Sequence, residues 1–565
     1  MKASRVILEA LKREGVDTIF GFPGGVLLPI YDALYDFDLN HILVRHEQGA
    51  GHAADGYARA SGKVGVCLAT SGPGATNLVT AIANAYMDSV PIVAITGQVS
   101  RPLIGLDSFQ EADVTGITLP IVKHSYLVKD AGDLPRIIRE AFYIASTGRP
   151  GPVLIDIPVD VTREEMDFDP AVLPAMQLPG YRPTVKGHPK QIREAARVIA
   201  AAERPLIYAG GGVISAEASE ELRELAFYGH IPVATTLTGK GCFPEDEDLA
   251  MGMLGMHGTP YANYSLSRSD LILAVGVRFD DRVTGKLEAF APEARFVHID
   301  VDPAEISKNV SVEVPIVGDA KRVLAALLVE LKKLDLSPDR HLTWMKQVEA
   351  WKRDHPLVIR EPEDGEIMPE SAVNKIWEVS RGEAVVCTEV GQHQMWTAQH
   401  YPIRHPRRFI SSGGLGTMGF GFPAAIGAQA ALPDSLVIDI AGDGSFQMTL
   451  QELATAVQYG LPVKVCIINN QYLGMVRQWQ ELFWRGRYSH TCMECQPDFV
   501  KLAEAYGALG LRATKPEELE EVLRVGLTAE GPAVIDIRVK REANVYPMIP
   551  AGGSVGDMIM TEGDR

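Results

Sequence analysis

The chain has 565 residues and a formal net charge of −18, from 54 Lys and Arg against 72 Asp and Glu. Hydrophobic residues make up 46% of it and charged residues 22%, which excludes disordered, collagen-like and coiled-coil proteins. An acidic chain binds a phosphate backbone poorly, so we expect no nucleic acid as a partner. Because no apolar run reaches about 18 residues, we expect no membrane span.

The first elements are predicted from hydrophobic periodicity. Val6, Ile7, Ala10 and Leu11 recur at helical spacing, which predicts an amphipathic helix rather than a signal peptide. We therefore expect a cytoplasmic protein of bacterial type, or an organellar one without its transit peptide. Apolar runs rich in Val and Ile then alternate with helical patterns and are typical of buried parallel strands. The predicted strands are 64–69, 92–96, 153–157, 206–209, 271–275, 296–299, 436–440, 463–468 and 533–537.

Two Pro-containing segments divide the chain. Residues 169–189 include five Pro, and residues 355–369 include the acidic run 361–364. Because Pro restricts the backbone and removes a donor, both segments are predicted as surface linkers. The predicted domains are 1–168, 190–354 and 370–545, followed by a tail at 546–565. Alternation of strands and helices predicts an α/β fold with a doubly wound parallel sheet in each domain.

The first and third domains share one local pattern, in which a strand is followed by a Gly-x-Gly turn, a helix, a Pro and a second strand. The turns are Gly72-Pro73-Gly74 and Gly442-Asp443-Gly444, with helices predicted at 75–87 and 449–459. The Pro follows the first Gly by 19 residues in one copy and by 20 in the other. We interpret the pattern as a duplication, with chance similarity of two strand–helix–strand units as the alternative.

Two oxygen-bearing side chains follow neighbouring strands in the third domain. Asp443 comes directly after one strand, and 24 residues separate Gly444 from the pair Asn469-Asn470 at the end of the next. Ligands of parallel sheets bind at these strand ends, and Mg²⁺ takes one or two protein oxygens together with phosphates. The spacing favours a diphosphate–metal site over a simple Asp-Gly turn.

Other motifs are less specific. Glu47 opens a helix of small residues and is a candidate acid/base, a helix cap or one member of a surface pair. The Gly-rich segments 210–212 and 413–419 suit ligand-binding loops or tight packing turns. Cys492 and Cys495 form a C-x-x-C without a second ligand pair nearby, so we interpret them as incidental rather than as a zinc site.

The Asp443 and Asn470 motif resembles the signature of thiamine diphosphate enzymes. The resemblance implies that Asp443, Asn470 and the carbonyl of Tyr472 hold Mg²⁺, while Glu47 contacts N1′ of the pyrimidine ring as general acid/base. It implies that Met418 lies under the bent cofactor. The other cofactor contacts that it implies are Val390, Gly391, Gln392, His393, Gly416, Gly442, Gly444, Ser445, Gly474 and Met475.

Over essentially the whole chain, the sequence resembles the large subunit of the acetohydroxyacid synthase (acetolactate synthase) family. The matching segments are 20–25, 71–77, 148–153, 253–259 and 276–285. This resemblance implies that the first and third domains bind thiamine diphosphate and that the middle domain binds an FAD without a part in the net reaction. The residues implied for FAD are Arg149, Gly210, Gly211, Gly212, Thr235, Leu237, His257, Gly258, Gly276, Arg278, Asp300 and Asp319. On pattern alone, Asp300 is equally a loop cap.

The family resemblance also implies an activity, in which pyruvate is decarboxylated and its hydroxyethyl carbanion is transferred to pyruvate or 2-ketobutyrate. This step opens branched-chain amino acid biosynthesis. It implies catalytic roles for Lys123 and Gln110, a carboxylate clamp at Arg278 and an acceptor filter at Trp479. Gly25, Phe109 and Met475 are implied to line the substrate pocket. Arg278 also suits an ordinary ion pair, and Met475 and Trp479, four residues apart, also suit a core-facing helix stripe.

Assembly is implied by the same family. Its active sites lie between two chains, so we expect a homodimer or tetramer, with a small regulatory subunit as a further partner. The tail is implied to cap the site and exclude water. The competing functions are another thiamine diphosphate-dependent 2-keto acid decarboxylase, a pyruvate oxidase, and a non-catalytic relative kept for assembly.

Overall fold

The computed structural model describes residues 1–172, 174–334, 336–337, 339–360 and 365–564. It contains three six-stranded sheets in which neighbouring strands pair in parallel. The acidic run predicted at 361–364 lies outside the described residues. Among the described helices, none is long and apolar enough to cross a membrane.

The N-terminal sheet has the strand order β2-β1-β3-β4-β6-β5. Its strands are β1 (Thr18–Gly21), β2 (Asn40–Leu43), β3 (Gly65–Ala69), β4 (Ile92–Gln98), β5 (His124–Leu127) and β6 (Val153–Pro158). Its helices are α1 (Ala3–Arg13), α2 (Leu28–Tyr35), α3 (Glu47–Ser61), α4 (Pro73–Asn77), α5 (Val79–Met87), α6 (Val114–Thr118), α7 (Leu134–Ser146) and α8 (Val159–Arg163). The predicted helix at 75–87 is therefore two helices, which meet at Leu78.

The central sheet has the order β12-β11-β10-β7-β8-β9. Its strands are β7 (Pro205–Ala209), β8 (Val233–Thr235), β9 (Ala250–Met253), β10 (Leu271–Val275), β11 (Arg295–Asp300) and β12 (Val314–Val317). Its helices are α9 (Pro189–Ala201), α10 (Gly211–Ser215), α11 (Ser219–Gly229), α12 (Pro260–Arg268), α13 (Asp281–Thr284), α14 (Ala320–Lys332) and α15 (Leu342–Asp354). The strand order reverses between β7 and β10, where dinucleotides bind in sheets of this order.

The C-terminal sheet has the order β14-β13-β15-β16-β18-β17. Its strands are β13 (Val385–Thr388), β14 (Phe409–Ser411), β15 (Val437–Gly442), β16 (Lys464–Asn469), β17 (Leu509–Ala513) and β18 (Ala533–Arg538). Its helices are α16 (Pro369–Ser380), α17 (Gln392–His400), α18 (Gly421–Ala431), α19 (Asp443–Phe446), α20 (Leu453–Gln458), α21 (Gly474–Phe483), α22 (Phe499–Tyr506) and α23 (Pro516–Leu527). A 3-10 turn (Leu450–Glu452) precedes α20, so the helix predicted at 449–459 is shorter than expected.

The N-terminal and C-terminal sheets have the same strand order when each is numbered from its own first strand. The predicted relationship between the first and third domains is confirmed by this match. Helices α3 and α18 occupy equivalent places and pack against each other. Their backbones touch at two glycines, since a Cβ on Gly56 would lie 2.1 Å from Ala424 O and one on Gly427 would lie 1.8 Å from Ala53 O.

Candidate active site

Asp443 and Asn470 lie at the ends of neighbouring strands and line one cavity. Gly442, the last residue of β15, pairs with Ile468 in β16, so the two strands deliver their next residues to the same edge of the sheet. Ten further residues expected at the cofactor line this cavity, together with Gly444: Val390, Gly391, Gln392, His393, Met418, Gly442, Ser445, Tyr472, Gly474 and Met475.

The cavity suits a divalent cation and an anion. Burial raises the pKa of Asp443 to about 7, opposed by the backbone N–H of Asn470 and the charge of Arg538. A bound cation would favour the ionised carboxylate in the same place. Among the described residues, no group of three or more His, Cys, Asp or Glu could hold a metal, so the donor set here is one carboxylate with amide and carbonyl oxygens. This mixed oxygen set fits Mg²⁺ that also binds phosphate.

His393 and Gly474 form the rest of the anion-binding wall. Burial lowers the pKa of His393 to about 3, and its Nε2 has no hydrogen-bond partner in the part of the chain that the structure describes. Such a neutral ring can donate one hydrogen bond to a phosphate oxygen. A Cβ on Gly474 would lie 2.0 Å from Gln392 Oε1, so only glycine leaves the backbone this close to the cavity.

Glu47 lies in a separate place in the chain. It is buried at the N-terminus of α3, where its Oε2 accepts a hydrogen bond from Asn77 at 2.9 Å. Gly74 lies against its Oε1, and Gly72 packs on the backbone of Gln110. Glu47 does not line the cavity of Asp443. Glu47 and the cavity of Asp443 are therefore separate places in one chain.

The loop that carries Met418 is held by the N-terminal domain. Asp88 accepts the backbone N–H groups of Gly413 at 2.9 Å and Gly414 at 2.7 Å, and it pairs with Arg59 at 2.9 Å. Asn84 accepts hydrogen bonds from Ser412 and Thr417. Beyond the loop, Glu389 accepts the backbone N–H groups of Gly419 and Phe422. The backbone on both sides of Met418 is thus held by hydrogen bonds.

A larger cavity lies between the N-terminal and central domains, where the central strand order reverses. Gly212 after β7 packs on Gly276 after β10, with 2.6 Å between the Cβ that Gly212 would carry and Gly276 Cα. This contact keeps the backbone close to the cavity, as a dinucleotide requires. The predicted FAD residues that line it are Arg149, Gly211, Gly212, Gly276, Arg278, Asp300 and Asp319. Its glycine loop and its place at the reversal of strand order fit FAD.

The remaining predicted FAD residues do not line this cavity. Gly210 lies next to it and packs on Gly276, while Thr235 is buried at the end of β8. His257 instead binds the carbonyl of Pro547 at 3.1 Å, which ties the central domain to the C-terminal tail. Leu237 and Gly258 are likewise absent from the lining within the described residues.

Three predicted substrate residues, Trp479, Met475 and Arg278, line a groove or a cavity. Trp479 and Met475 line a groove on α21, and Met475 also lines the cavity of Asp443, so the groove and the cavity adjoin. Arg282 lies over the Trp479 ring at 5.6 Å. The Arg278 guanidinium donates to the carbonyl of Met87 at 2.6 Å and borders the larger cavity.

The other predicted substrate residues belong to the N-terminal domain. Phe109 is 89% exposed, and Gly25 faces open space. Lys123 donates to the carbonyls of Ile144 and Thr147, and burial lowers the pKa of its ammonium to about 8. Among the described residues that line the cavity of Asp443, Lys123 is not included, and its catalytic role stays a prediction.

The tail packs on the central domain and on α21. The backbone N–H of Ile549 binds Met256 O at 2.8 Å, and that of Lys286 binds Gly553 O at 2.9 Å. Gln478 on α21 donates to Val545 O at 3.1 Å and to Met548 at 3.4 Å. The tail thus lies beside the groove of Trp479, and its capping role stays a prediction.

Sequence reasoning missed the residues that hold these parts in place. Asn77 binds Glu47 itself, while Asp88, Asn84 and Glu389 bind the segment around Met418. Only Asn77 had a signal, since it ends the matching segment 71–77. Asp88 and Asn84 act across a domain boundary, which a local motif does not record, and Glu389 binds backbone groups about 30 residues away.

Three models of thiamine pyrophosphate enzymes match the chain. The N-terminal TPP binding domain matches residues 1–117, the central domain 192–327, and the C-terminal TPP binding domain 389–537. Acetolactate synthase of Mycobacterium bovis is 52% identical over 100% of this chain and 92% of its own length. The acetolactate synthase large subunits of Corynebacterium glutamicum (50% identical; 99% of this chain, 90% of the relative) and Haemophilus influenzae (48%; 100% and 98%) are similar.

Proposed function

The chain belongs to the family of thiamine pyrophosphate enzymes, and we propose that it is the catalytic subunit of an acetolactate synthase. It would join pyruvate to a second 2-keto acid, either pyruvate or 2-ketobutyrate, with loss of carbon dioxide. The observation that carries the proposal is the cavity shared by Asp443, Asn470 and Met418, in a chain similar to acetolactate synthases over its full length.

Thiamine diphosphate, when bound, supplies the electron sink for decarboxylation and for the new carbon–carbon bond. In our proposal, Asp443, Asn470 and the carbonyl of Tyr472 hold Mg²⁺, and His393 Nε2 donates to a phosphate oxygen. Met418, which lines the same cavity, would pack against the cofactor. Glu47 holds a proton toward N1′ of the pyrimidine ring. FAD would occupy the cavity beside Arg149 and Arg278.

A second copy of the chain would complete the site. Glu47 and the Asp443 cavity are separate within one chain, and apolar side chains are exposed beside both of them. In the N-terminal domain, Phe109 is 89% exposed and Leu106 is 66% exposed. Trp484, which lines the groove of Trp479, is also 66% exposed. Such surfaces are typical of interfaces. We propose a dimer that joins each Glu47 to its partner's cavity; the tetramer, the small regulatory subunit and the cytoplasmic location stay predictions.

Acceptor choice would depend on Arg278 and Trp479. A guanidinium can bind the carboxylate of the second 2-keto acid by two hydrogen bonds. The Trp479 ring would contact the larger alkyl group of 2-ketobutyrate. For this role, Arg278 has to leave or share its present contact with the Met87 carbonyl.

The test is product analysis with pyruvate under anaerobic conditions, with and without thiamine diphosphate, Mg²⁺ and FAD. We expect 2-acetolactate only when thiamine diphosphate and Mg²⁺ are both present, and 2-aceto-2-hydroxybutyrate when 2-ketobutyrate is added. Acetaldehyde or acetyl phosphate without acetolactate would instead show a decarboxylase or an oxidase. No turnover by a fully loaded protein would show a non-catalytic relative.

A further inference from the structure

Glu452 lies in the C-terminal domain but binds the backbone immediately before Glu47. Its Oε1 accepts the N–H groups of Arg45 at 3.1 Å and His46 at 3.0 Å, and its Oε2 lies 3.1 Å from the same Arg45 nitrogen. The hydroxyl of Thr455 donates to Oε2 at 2.7 Å. The Glu452 side chain is 1% exposed, so these bonds form away from water.

Residues 44–46 connect β2 to α3 and set where Glu47 begins its helix. His46 caps α3 through its ring nitrogen, which accepts from the N–H of Gln48 at 3.1 Å. Gly49, one turn into the helix, leaves room for the carboxylate, since a Cβ there would lie 2.5 Å from Glu452 Oε1. The backbone on both sides of Glu47 is therefore shaped around Glu452.

The other half of the chain has a related contact at a different place in the fold. Asp88 follows α5 in the N-terminal domain and accepts the backbone N–H groups of Gly413 and Gly414, in the loop that leads to α18. Glu452 instead precedes α20 and accepts two backbone N–H groups directly ahead of α3. In each case, a buried carboxylate of one domain binds backbone N–H groups that precede a helix of the other domain.

We infer that Glu452 is a positioning residue for Glu47, which it places through the backbone of Arg45 and His46. This inference rests on the proposed role of Glu47 in the thiamine-dependent reaction. A carboxylate serves this task because it accepts several N–H bonds at once, and a buried N–H without an acceptor is unstable. A small displacement of an acid/base group costs about a hundredfold in rate.

Amide hydrogen–deuterium exchange of the protein without cofactors tests the contact itself. Glu452→Ala should speed exchange at the amides of Arg45 and His46 about tenfold or more, because both lose their acceptor. Gly49→Ala tests the same contact without removing the carboxylate, because the added Cβ would displace it. Exchange at the same two amides should also become faster. Gln458→Ala is the matched control, since it removes an exposed bond to the Arg45 side chain and should leave both amides protected. Unchanged exchange in Glu452→Ala would overturn the inference.

Kinetics and cofactor binding of the loaded enzyme test the consequence. Glu452→Ala should lower kcat about ten- to a hundredfold, while affinities for thiamine diphosphate with Mg²⁺ and for FAD stay within about twofold. Glu452→Gln, which keeps one acceptor oxygen, should recover part of the rate. An equal loss of thiamine diphosphate affinity would overturn the inference, because Glu452 would then act on the diphosphate half-site.

A double variant separates this inference from the proposed function. If Glu452 acts through Glu47, Glu47→Gln with Glu452→Ala should be about as slow as Glu47→Gln alone. Multiplied losses would overturn the positioning role. Full activity of Glu47→Gln by itself would instead overturn the proposed role of Glu47, whatever the amide exchange at Arg45 and His46 shows.

Discussion

The carboxylate of Asp88 accepts the backbone N–H of Gly414 at 2.7 Å, which joins the N-terminal domain to the loop that carries Met418. Asp88 also borders the larger cavity, the proposed FAD site. One buried side chain therefore contacts the surroundings of both proposed cofactors. This arrangement physically connects the proposed FAD site to the proposed thiamine diphosphate site.

Asp88→Ala should loosen the loop and weaken thiamine diphosphate binding about ten- to a hundredfold, because Gly413, Gly414 and Arg59 lose a buried acceptor. Titration calorimetry of thiamine diphosphate with Mg²⁺ measures this loss. Asp38→Asn, at a fully exposed side chain, is the control. Unaltered affinity would show that the loop holds its position without Asp88.

Two inactive chains should restore activity when they are mixed. Glu47→Gln and Asp443→Asn should each abolish most turnover, with FAD binding intact in Glu47→Gln. If the two half-sites come from different chains, a mixed dimer has one intact site and one doubly altered site. Random exchange in an equal mixture should return roughly a quarter of the original activity. No recovery, with subunit exchange confirmed by mass spectrometry, would place both residues in one chain's site.

Trp479→Leu should reduce the preference for 2-ketobutyrate over pyruvate about tenfold, since a smaller side chain loses contact with the larger alkyl group. The rate with pyruvate alone should change little. The ratio of the two products in a competition assay measures the effect. Phe483→Leu, which alters the ring at 5.8 Å from Trp479, serves as a control for changes in helix packing. An unchanged ratio would make Trp479 a packing residue only.

Asp156 gives the N-terminal domain a pH-dependent stability. Burial raises its pKa from the ordinary 3.8 to about 7, although Thr96 and Gln98 donate hydrogen bonds to it. The folded state therefore holds this proton more tightly than the unfolded state, and the contribution of Asp156 becomes less favourable as pH rises from about 4 to 7. Relative to the wild type, Asp156→Asn should gain thermal stability across that range. A constant difference in Tm would contradict the raised pKa.

The close contact of α3 and α18 should tolerate no added methyl group. Gly427→Ala would place a Cβ 1.8 Å from Ala53 O, so the helices would have to separate. We expect a loss of about 2–3 kcal/mol or failure to fold, as for other overpacked cores. Gly531→Ala is the control, because its Cβ would meet open space and its backbone does not need a glycine. Thermal unfolding followed by circular dichroism compares the two.

The sequence predicted nine of the eighteen strands that the structure describes, and the shared location of Asp443 and Asn470, because both depend on local patterns. Parallel strands buried on both faces read as apolar runs, and the Asp443 and Asn470 spacing matches one strand–helix–strand unit. Hydrophobic periodicity did not predict the break at Leu78, because the apolar spacing continues from one helix into the next. Asp88 and Glu452 were not predictable, because their partners lie hundreds of residues away and are backbone groups that any residue possesses.

The two outer domains share a strand order but differ at the residue that is proposed to bind the metal ion. Each chain has two Gly-x-Gly turns after equivalent strands, β3 and β15, and these turns carry Pro73 and Asp443 respectively. Proline offers neither a carboxylate nor a backbone N–H. The turn at Pro73 therefore lacks the carboxylate with which Asp443 is proposed to bind Mg²⁺ in the other domain. We therefore expect each chain to bind one divalent cation when it is saturated with metal. The turn at Pro73 instead lies beside Glu47.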